Sequence, residues 1–168
     1  MRISRQQMFA EMATVVSKRA TCYRANVGAL IVQGTNVVSI GYNGPPSGEP
    51  HCLGKSLCPL TESGGCSRAL HAEYNAIKRM PVLRYGLCVL YTTRSPCEAC
   101  TELILVTRYI ERVFYIEQYR NTQHLDKLHG KKPVYRILPS GVILDHFTGE
   151  VVEVEDCDKR ERLINLLG

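Results

Sequence analysis

The sequence of 168 residues lacks the features that would place it in a membrane or outside the cell. No apolar run approaches the roughly 18 residues that a membrane-spanning helix needs. The N-terminal stretch MRISRQQMFAEMATVV is too polar and too amphipathic for a signal peptide. We therefore expect a cytoplasmic protein with no membrane partner.

Repeats, low-complexity stretches and linkers are also missing, so residues 1–168 are expected to fold as a single domain. The net charge of +5 is spread along the chain and forms no basic cluster, which argues against nucleic acid as a partner. Cysteine, in contrast, is abundant, with eight in the chain. In a reducing cytosol these are expected to be buried thiols, metal ligands or a catalytic thiol, and not disulfides.

Hydrophobic periodicity predicts strands that alternate with helices after an opening hairpin. Helices are expected at 4–19, 69–79, 97–108 and 121–129, and strands at 27–32, 36–42, 87–93, 112–116 and 134–138. One face of the first helix is apolar, formed by Met8, Met12, Val15 and Val16. A C-terminal extension from about residue 139 is expected to hold a hairpin, between 141–147 and 150–154, and a helix over 156–167. This order predicts an α/β fold, a three-layer α/β/α sandwich around one mixed sheet of about five strands.

The segment RSPCEAC is typical of a helix start that carries two metal ligands. Ser95 can cap the helix, Pro96 suits its first position, and Glu98 can complete a capping box with Ser95. Cys97 and Cys100 then share one face of the first turn, where unpaired N–H groups favour the thiolate. Such a pair is half of a zinc site, although a redox pair or plain packing also fits this spacing.

The segment LHAEYNAI supplies a third ligand and a carboxylate. Residues two apart on an ideal helix do not face each other, so His71 must lie at the start of the helix if it shares a pocket with Glu73. His71, Cys97 and Cys100 make three protein ligands, which leaves one position of a zinc ion open for water. Glu73 would transfer protons without binding the metal. This combination predicts hydrolytic chemistry.

A long loop at about 44–68, rich in Gly and Pro, favours a second metal site. The loop contains three further cysteines, Cys52, Cys58 and Cys66. Together with Cys22, which precedes the first strand, they could form a closed tetrahedral zinc site with a structural role. His51 could replace one of the cysteines, and a set of unconnected thiols is the alternative.

The pattern H-x-E with P-C-x-x-C is the signature of zinc nucleobase deaminases, and the chain resembles the cytidine/deoxycytidylate deaminase superfamily. Within it, VGALIV, GYNGPPSG and HAEYNAI are most similar to deoxycytidylate (dCMP) deaminases, and the resemblance runs from about Arg19 to Tyr119. TCYRANVG and HCLGKSLC…GGCSRALHAE resemble phage and bacterial members with an additional zinc. The resemblance implies hydrolytic deamination of dCMP to dUMP and ammonia, in pyrimidine deoxynucleotide metabolism.

The same resemblance implies the substrate-binding residues Asn43, Asn26, Ala72, Ser95 and Tyr119. Ala72 and Ser95 would contact the base through their backbones, and Asn43 would hold the sugar–phosphate part. Asn26 and Tyr119 would lie at the phosphate end. Asn43 could instead serve a turn, and Tyr119 could be an aromatic residue at a strand edge.

The resemblance further implies a homo-oligomer, expected to be a hexamer, with dCTP and dTTP as effectors and Mg²⁺ accompanying the effector nucleotide. The alternatives are a deaminase of a modified dCMP such as 5-methyl-dCMP, or of another cytosine nucleotide or nucleoside. A zinc-binding module without catalytic activity is the alternative from a different class.

Overall fold

One mixed sheet lies at the centre of the protein. The computed structural model describes residues 2–52, 54, 59–62, 66–81 and 86–154. The strands in chain order are β1 (Gly28–Gln33), β2 (Asn36–Tyr42), β3 (Cys88–Arg94), β4 (Ile110–Glu117), β5 (Val134–Ile137) and β6 (Ile143–Asp145). The helices are α1 (Arg5–Ser17), α2 (Ala72–Arg79) and α3 (Glu98–Val106), with a short 3-10 helix at Gln123–Leu128. None of the helices in these ranges combines the length and the apolar character of a membrane-spanning segment.

The strand order across the sheet is β2-β1-β3-β4-β5-β6. The predicted hairpin of β1 and β2 is confirmed, and β1 also pairs antiparallel with β3. The strands β3, β4 and β5 run parallel, so their carboxyl ends lie at one edge of the sheet. Ligand sites of α/β proteins are commonly formed at such an edge.

The C-terminal extension adds a sixth strand to the predicted sheet. The predicted hairpin in this extension is present, with Leu144 bridged to Val151. Its first strand, β6, also pairs antiparallel with β5, so the sheet gains an edge strand beyond the five expected. The helix predicted at 121–129 is the shorter 3-10 helix, and the one predicted at 156–167 lies outside the described residues.

The sheet is covered on both faces, which confirms the three-layer sandwich. Alternate residues of β1 point to opposite faces, so Leu30 packs with α1 on one side and Ile31 with α2 on the other. The face of the sheet that α2 covers is also covered by α3 and the 3-10 helix. Leu125 and Leu128 of the 3-10 helix are fully buried in the same core as Ile31. Near-continuous apolar strands are what a sheet buried on both faces requires.

Helix α1 buries a different face from the one that its largest apolar side chains indicated. Three members of the predicted apolar face are exposed, namely Met8, Met12 and Val15. The buried face is formed instead by Phe9, Ala10 and Ala13, while Val16 is partly buried against the core. The reason is close packing, because a Cβ placed on Gly28 of β1 would lie 2.2 Å from the Ala13 carbonyl oxygen. Only small side chains allow this approach.

Candidate active site

His71 lies immediately before helix α2, at the helix start that a pocket shared with Glu73 requires, so the helix predicted over 69–79 begins three residues later, at Ala72. His71 is the N-cap, in an extended conformation with φ −80° and ψ 155°. Two hydrogen bonds hold the helix on β2: Asn75 Nδ2 donates to the Tyr42 carbonyl at 2.9 Å, and Ser39 Oγ donates to the Ala76 carbonyl at 2.6 Å. These contacts fix the position of the first turn of α2 relative to the sheet edge.

Helix α3 starts one residue later than predicted, and its cap is different. Cys97 is the N-cap residue and Glu98 is the first helical residue, so the capping box expected from Ser95 and Glu98 is wrong. Ser95 continues the strand pairing instead, because its backbone N–H donates to the Glu117 carbonyl at 2.8 Å. Its hydroxyl accepts a hydrogen bond from the Tyr119 backbone N–H at 2.7 Å.

The starts of α2 and α3 bring three metal-binding side chains together. Nδ1 of His71 lies 3.2 Å from Sγ of Cys97 and 3.4 Å from Sγ of Cys100. Within the described ranges, these three are the only His, Cys, Asp or Glu residues that form a group with ligand atoms all within 4.8 Å of one another. One imidazole and two sulfurs are a donor set that suits zinc, and three protein ligands are typical of a catalytic zinc. The residues therefore fit the metal that the sequence indicates.

The three side chains also shift one another's pKa values. The hydrogen bond with Cys97 raises the pKa of His71 to about 9. Hydrogen bonds from Cys100 and His71 lower the pKa of Cys97 to about 4, against the effect of burial. The pKa of Cys100 is raised, first by its hydrogen bond with Cys97 and then by burial. Cys97 is thus held as a thiolate at neutral pH, which is the form that binds metals.

Glu73 lies beside this group, and its side chain is almost completely buried. Its Oε1 lies 3.3 Å from Oγ1 of Thr92 and its Oε2 lies 3.6 Å from Sγ of Cys100. Burial raises the pKa of Glu73 above its ordinary value. A carboxyl with a raised pKa is suited to accept and return protons near neutral pH.

A cavity of about 820 Å³ opens in front of His71, Cys97 and Glu73. Four of the five predicted substrate-binding residues line it, namely Asn43, Ala72, Ser95 and Tyr119. The fifth, Asn26, is exposed and does not line the cavity. The volume is within the range of small-molecule sites.

Asn43 is tied to the backbone at the cavity wall. Its Oδ1 accepts a hydrogen bond from the Val27 N–H, and its Nδ2 donates to the Ala25 carbonyl, both at 2.8 Å. An Asn amide has two N–H donors, so one donor of this buried side chain is left for another partner. Asn43 therefore shapes the wall, and its role toward a ligand stays a prediction.

Three arginines line the cavity that were not predicted as site residues, Arg24, Arg94 and Arg120. Arg94 also forms an ion pair with Glu117, with Nη2 to Oε2 at 3.1 Å. Their residue type alone does not distinguish them, because scattered charges usually form a solvated surface. The available signal was their position: Arg94 ends β3 and Arg120 closely follows β4, both at the carboxyl edge of the parallel strands.

The structure does not assemble the second predicted metal site from the residues it describes. Cys52 is placed next to the Cys22 segment, because its backbone N–H donates to the Thr21 carbonyl at 3.2 Å. Cys22 and Cys66 both line the cavity. In the described part of the chain, however, neither these three cysteines nor His51 belong to a group of three close ligand atoms. Cys58 lies outside the described residues.

Comparison with known proteins identifies the family. Residues 3–117 match the family model for the cytidine and deoxycytidylate deaminase zinc-binding region. The match spans more than half of the chain, so the chain belongs to this family of zinc-dependent deaminases. The family expected from the sequence is thereby confirmed.

The matches to several relatives extend over most of the length of each relative. ComE operon protein 2 of Bacillus subtilis is 32% identical over 99% of this chain and 85% of that protein. The deoxycytidylate deaminase of Mycobacterium phage D29 is 38% identical over 65% of this chain and 91% of that protein. The crystal structure of the dCMP deaminase from cyanophage S-TIM5, in complex with dCMP and dUMP, is similar with a TM-score of 0.67. The two chains are 30% identical, and the match covers 81% of this chain and 98% of the cyanophage chain.

Proposed function

We propose that the protein catalyses the hydrolytic deamination of dCMP to dUMP and ammonia, in pyrimidine deoxynucleotide metabolism. The observation that carries this proposal is the group of His71, Cys97 and Cys100 beside the buried carboxyl of Glu73. The relatives from phage D29 and cyanophage S-TIM5 are named as deoxycytidylate (dCMP) deaminases. We further propose a cytoplasmic location, since a reducing environment preserves thiol ligands.

The protein's own side chains divide the work of the reaction. His71, Cys97 and Cys100 would hold a zinc ion, which when bound acts as a Lewis acid and lowers the pKa of water. Glu73 accepts the proton that the attacking water gives up. It delivers this proton to N3 of the ring, then takes a second proton from the hydroxyl formed at C4 and delivers it to the departing amine. The C4–N bond breaks, one water is consumed, and one ammonia is released.

The wall of the cavity supports a nucleoside monophosphate as the substrate. Ala72 and Ser95 line the cavity together with His71, Cys97 and Glu73, and their backbones would contact the base there. Arg24, Arg94 and Arg120 give the cavity lining positive charge that suits a phosphate. The phosphate is assigned to these arginines, and not to Asn26, because Asn26 does not line the cavity.

For the sugar–phosphate part, Asn43 and Tyr119 stay candidates because both line the cavity. Asn43 has one amide N–H that is left after its two backbone contacts. The 5-methyl-dCMP alternative differs by one methyl group, which changes discrimination by only about 1–3 kcal/mol in an apolar pocket.

A structural zinc at Cys22, Cys52, Cys58 and Cys66, with His51 as a substitute ligand, is a further part of the proposal. It is supported by the residue types and by the hydrogen bond from the Cys52 backbone N–H to the Thr21 carbonyl, which places Cys52 next to the Cys22 segment. Metal analysis of purified protein tests it: two zinc ions per chain support both sites, and one supports the catalytic site alone.

A homo-oligomer, expected to be a hexamer, and regulation by dCTP and dTTP with Mg²⁺ are supported by the family resemblance. Light scattering of the purified protein measures the first. Deamination rates with and without each nucleotide and Mg²⁺ measure the second. A monomer whose rate responds to neither nucleotide would contradict both parts.

The main experiment compares ammonia release from dCMP, CMP, deoxycytidine, dCTP and 5-methyl-dCMP. We expect dCMP to give the highest kcat/KM. Arg120→Gln should raise KM for dCMP about tenfold or more, because a charged hydrogen bond contributes about 1.5–3 kcal/mol. Arg108→Gln is the matched control, since Arg108 is exposed and does not line the cavity.

The outcomes separate the alternatives. Equal rates on deoxycytidine and dCMP would refute the monophosphate specificity and leave the deamination chemistry intact. A protein that holds zinc but releases no ammonia from any of the five compounds would be a zinc-binding module without catalytic activity.

A further inference from the structure

The segment that follows β4 folds back onto the turn before α3. It ends in the 3-10 helix at Gln123–Leu128, which is anchored by Leu125 and Leu128, both fully buried. Because these two leucines are part of the main core, the helix is held rigidly against the sheet. Its polar side chains can therefore serve as fixed points for the neighbouring turn.

One of these side chains, His124, contacts the turn before α3 directly, at the residue that precedes Cys97. Nε2 of His124 lies 2.6 Å from the carbonyl oxygen of Pro96. A carbonyl oxygen only accepts hydrogen bonds, so Nε2 must carry the proton and donate it. His124 is partly buried, which protects the bond from competition with water.

The Pro96 carbonyl belongs to the peptide unit that ends at the nitrogen of Cys97. A peptide unit is planar, so fixing its oxygen also fixes the direction in which the Cys97 Cα leaves it. Cys97 places its Sγ 3.2 Å from Nδ1 of His71. The hydrogen bond from His124 thus constrains a sulfur ligand through one rigid unit.

The other contacts between these two segments are weaker constraints on Cys97. Nζ of Lys127 pairs with Glu98 at 3.0 Å and with Glu102 at 2.7 Å, but all three side chains are exposed. Exposed ion pairs contribute little because water and salt screen them. Pro96 and Glu98 both adjoin Cys97 in the chain, but His124 bonds a backbone atom of the peptide unit that joins Cys97, whereas Lys127 bonds only the ends of exposed side chains.

We infer that His124 is a positioning residue for the metal site and that it slows the loss of the metal by fixing the Pro96–Cys97 peptide. The inference rests on the zinc site of the proposed function. His124 does not reach the cavity, so it acts through Cys97 and not on the substrate.

The test uses the full-length, zinc-loaded protein and three variants. His124→Leu removes the donor and keeps the bulk, and His124→Gln restores an N–H donor of similar reach. Gln123→Ala is the matched control, because Gln123 is an exposed residue of the same helix. The readouts are the rate of zinc transfer to a chromophoric chelator and the thiolate-to-metal absorption band of the cobalt-substituted protein.

We expect His124→Leu to release zinc about tenfold faster, since loss of an outer hydrogen bond to a metal site costs about 10- to 100-fold in affinity. Its cobalt band should also shift. His124→Gln and Gln123→Ala should behave like wild type. Urea denaturation of each variant measures general destabilisation separately.

Unchanged zinc release and an unchanged cobalt band in His124→Leu would overturn the inference, whatever happens to its stability. Equal acceleration in Gln123→Ala would overturn it too, because the effect would then belong to the helix in general. A wild-type protein that takes up no zinc would instead refute the metal site of the proposed function, and this inference with it.

Discussion

Gly41 on β2 is the position where a single methyl group should disturb catalysis from outside the cavity. A Cβ at this position would lie 2.1 Å from the carbonyl oxygen of Ala72 and 2.4 Å from the backbone nitrogen of Ala76. Both contacts are backbone atoms of α2, so no side-chain rotation can relieve them. The perturbation we consider is therefore Gly41→Ala.

The magnitude follows from the distances. Ordinary contact begins near 3.4 Å, so the methyl group falls about 1.3 Å short of the space it needs against the Ala72 oxygen. Helix α2 must retreat by about that distance, and it carries Glu73 one residue after Ala72. A displacement of about 1 Å at a reacting group can reduce the rate about 100-fold. Overpacking should cost about 1–3 kcal/mol of folding stability as well.

Gly28→Ala provides the matched control. A Cβ at Gly28 would lie 2.2 Å from the Ala13 carbonyl oxygen and 2.5 Å from the Ser17 nitrogen, both on α1. The clash is equally severe, but α1 covers the face of the sheet opposite to α2. This variant should lose similar stability and keep its kcat/KM within a few-fold of wild type.

The assay is steady-state deamination of dCMP, with urea denaturation of both variants at the same temperature. We expect kcat/KM to fall about 100-fold in Gly41→Ala at full occupancy of the folded state. If Gly41→Ala folds and retains wild-type kcat/KM, or if Gly28→Ala loses as much, then the packing of α2 on β2 does not set the position of Glu73.

Two further predictions concern titrating groups. In protein stripped of zinc, Cys97 should be alkylated by iodoacetamide at pH 6, because its pKa is lowered to about 4. Cys100, whose pKa is raised, should react slowly. Peptide mass spectrometry measures the labelling of each cysteine, and equal labelling of the two would contradict this prediction. Burial lowers the pKa of His146, whose Nδ1 lies 2.8 Å from the Tyr115 hydroxyl, so the unfolded chain binds a proton more readily. Its stabilising contribution is then present above the ordinary value of 6.5 and is lost as the pH falls through the lowered value. Urea denaturation should show a larger loss between pH 7.5 and pH 5.5 in wild type than in His146→Gln, and equal losses would refute this assignment.

The metal group could be predicted from the sequence because its residues are constrained locally. The spacing of His71 and Glu73 required a helix start between them, and the structure has His71 as the N-cap. The three-residue spacing of Cys97 and Cys100 likewise places them together at the start of α3, with Cys97 as the N-cap and Cys100 in the first turn. Their approach to His71 depends on the neighbouring elements α2 and β3, and no local pattern encodes that distance.

Two local predictions failed where packing overrode a strong pattern. The large apolar residues of α1 include Met8 and Met12, yet the close approach to Gly28 selects the face with Ala10 and Ala13. Ser95 has a high preference for helix caps, yet strand pairing with Glu117 keeps it extended. In both cases a long-range contact decides between two local options that the sequence makes similarly favourable.

The cavity wall was the least predictable part of the site. Arginines at the ends of strands have the same composition signal as solvated arginines, so only the folded sheet shows that Arg94 and Arg120 face the same space as Glu73. The structural role of the Asn43 amide is likewise seen only from its hydrogen bonds with the backbone of Ala25 and Val27. A short motif cannot separate a ligand contact from a structural one.

The most direct test of the account is dUMP formation by wild-type protein and by Glu73→Gln at equal, measured zinc content. We expect wild type to convert dCMP to dUMP with one ammonia per product. Glu73→Gln, which keeps the shape and loses the titrating carboxyl, should be slower by about 100-fold or more. A Glu73→Gln variant as fast as wild type, or an inactive wild type that holds its full zinc, would contradict the assignment of a zinc-dependent deaminase with Glu73 as the proton carrier.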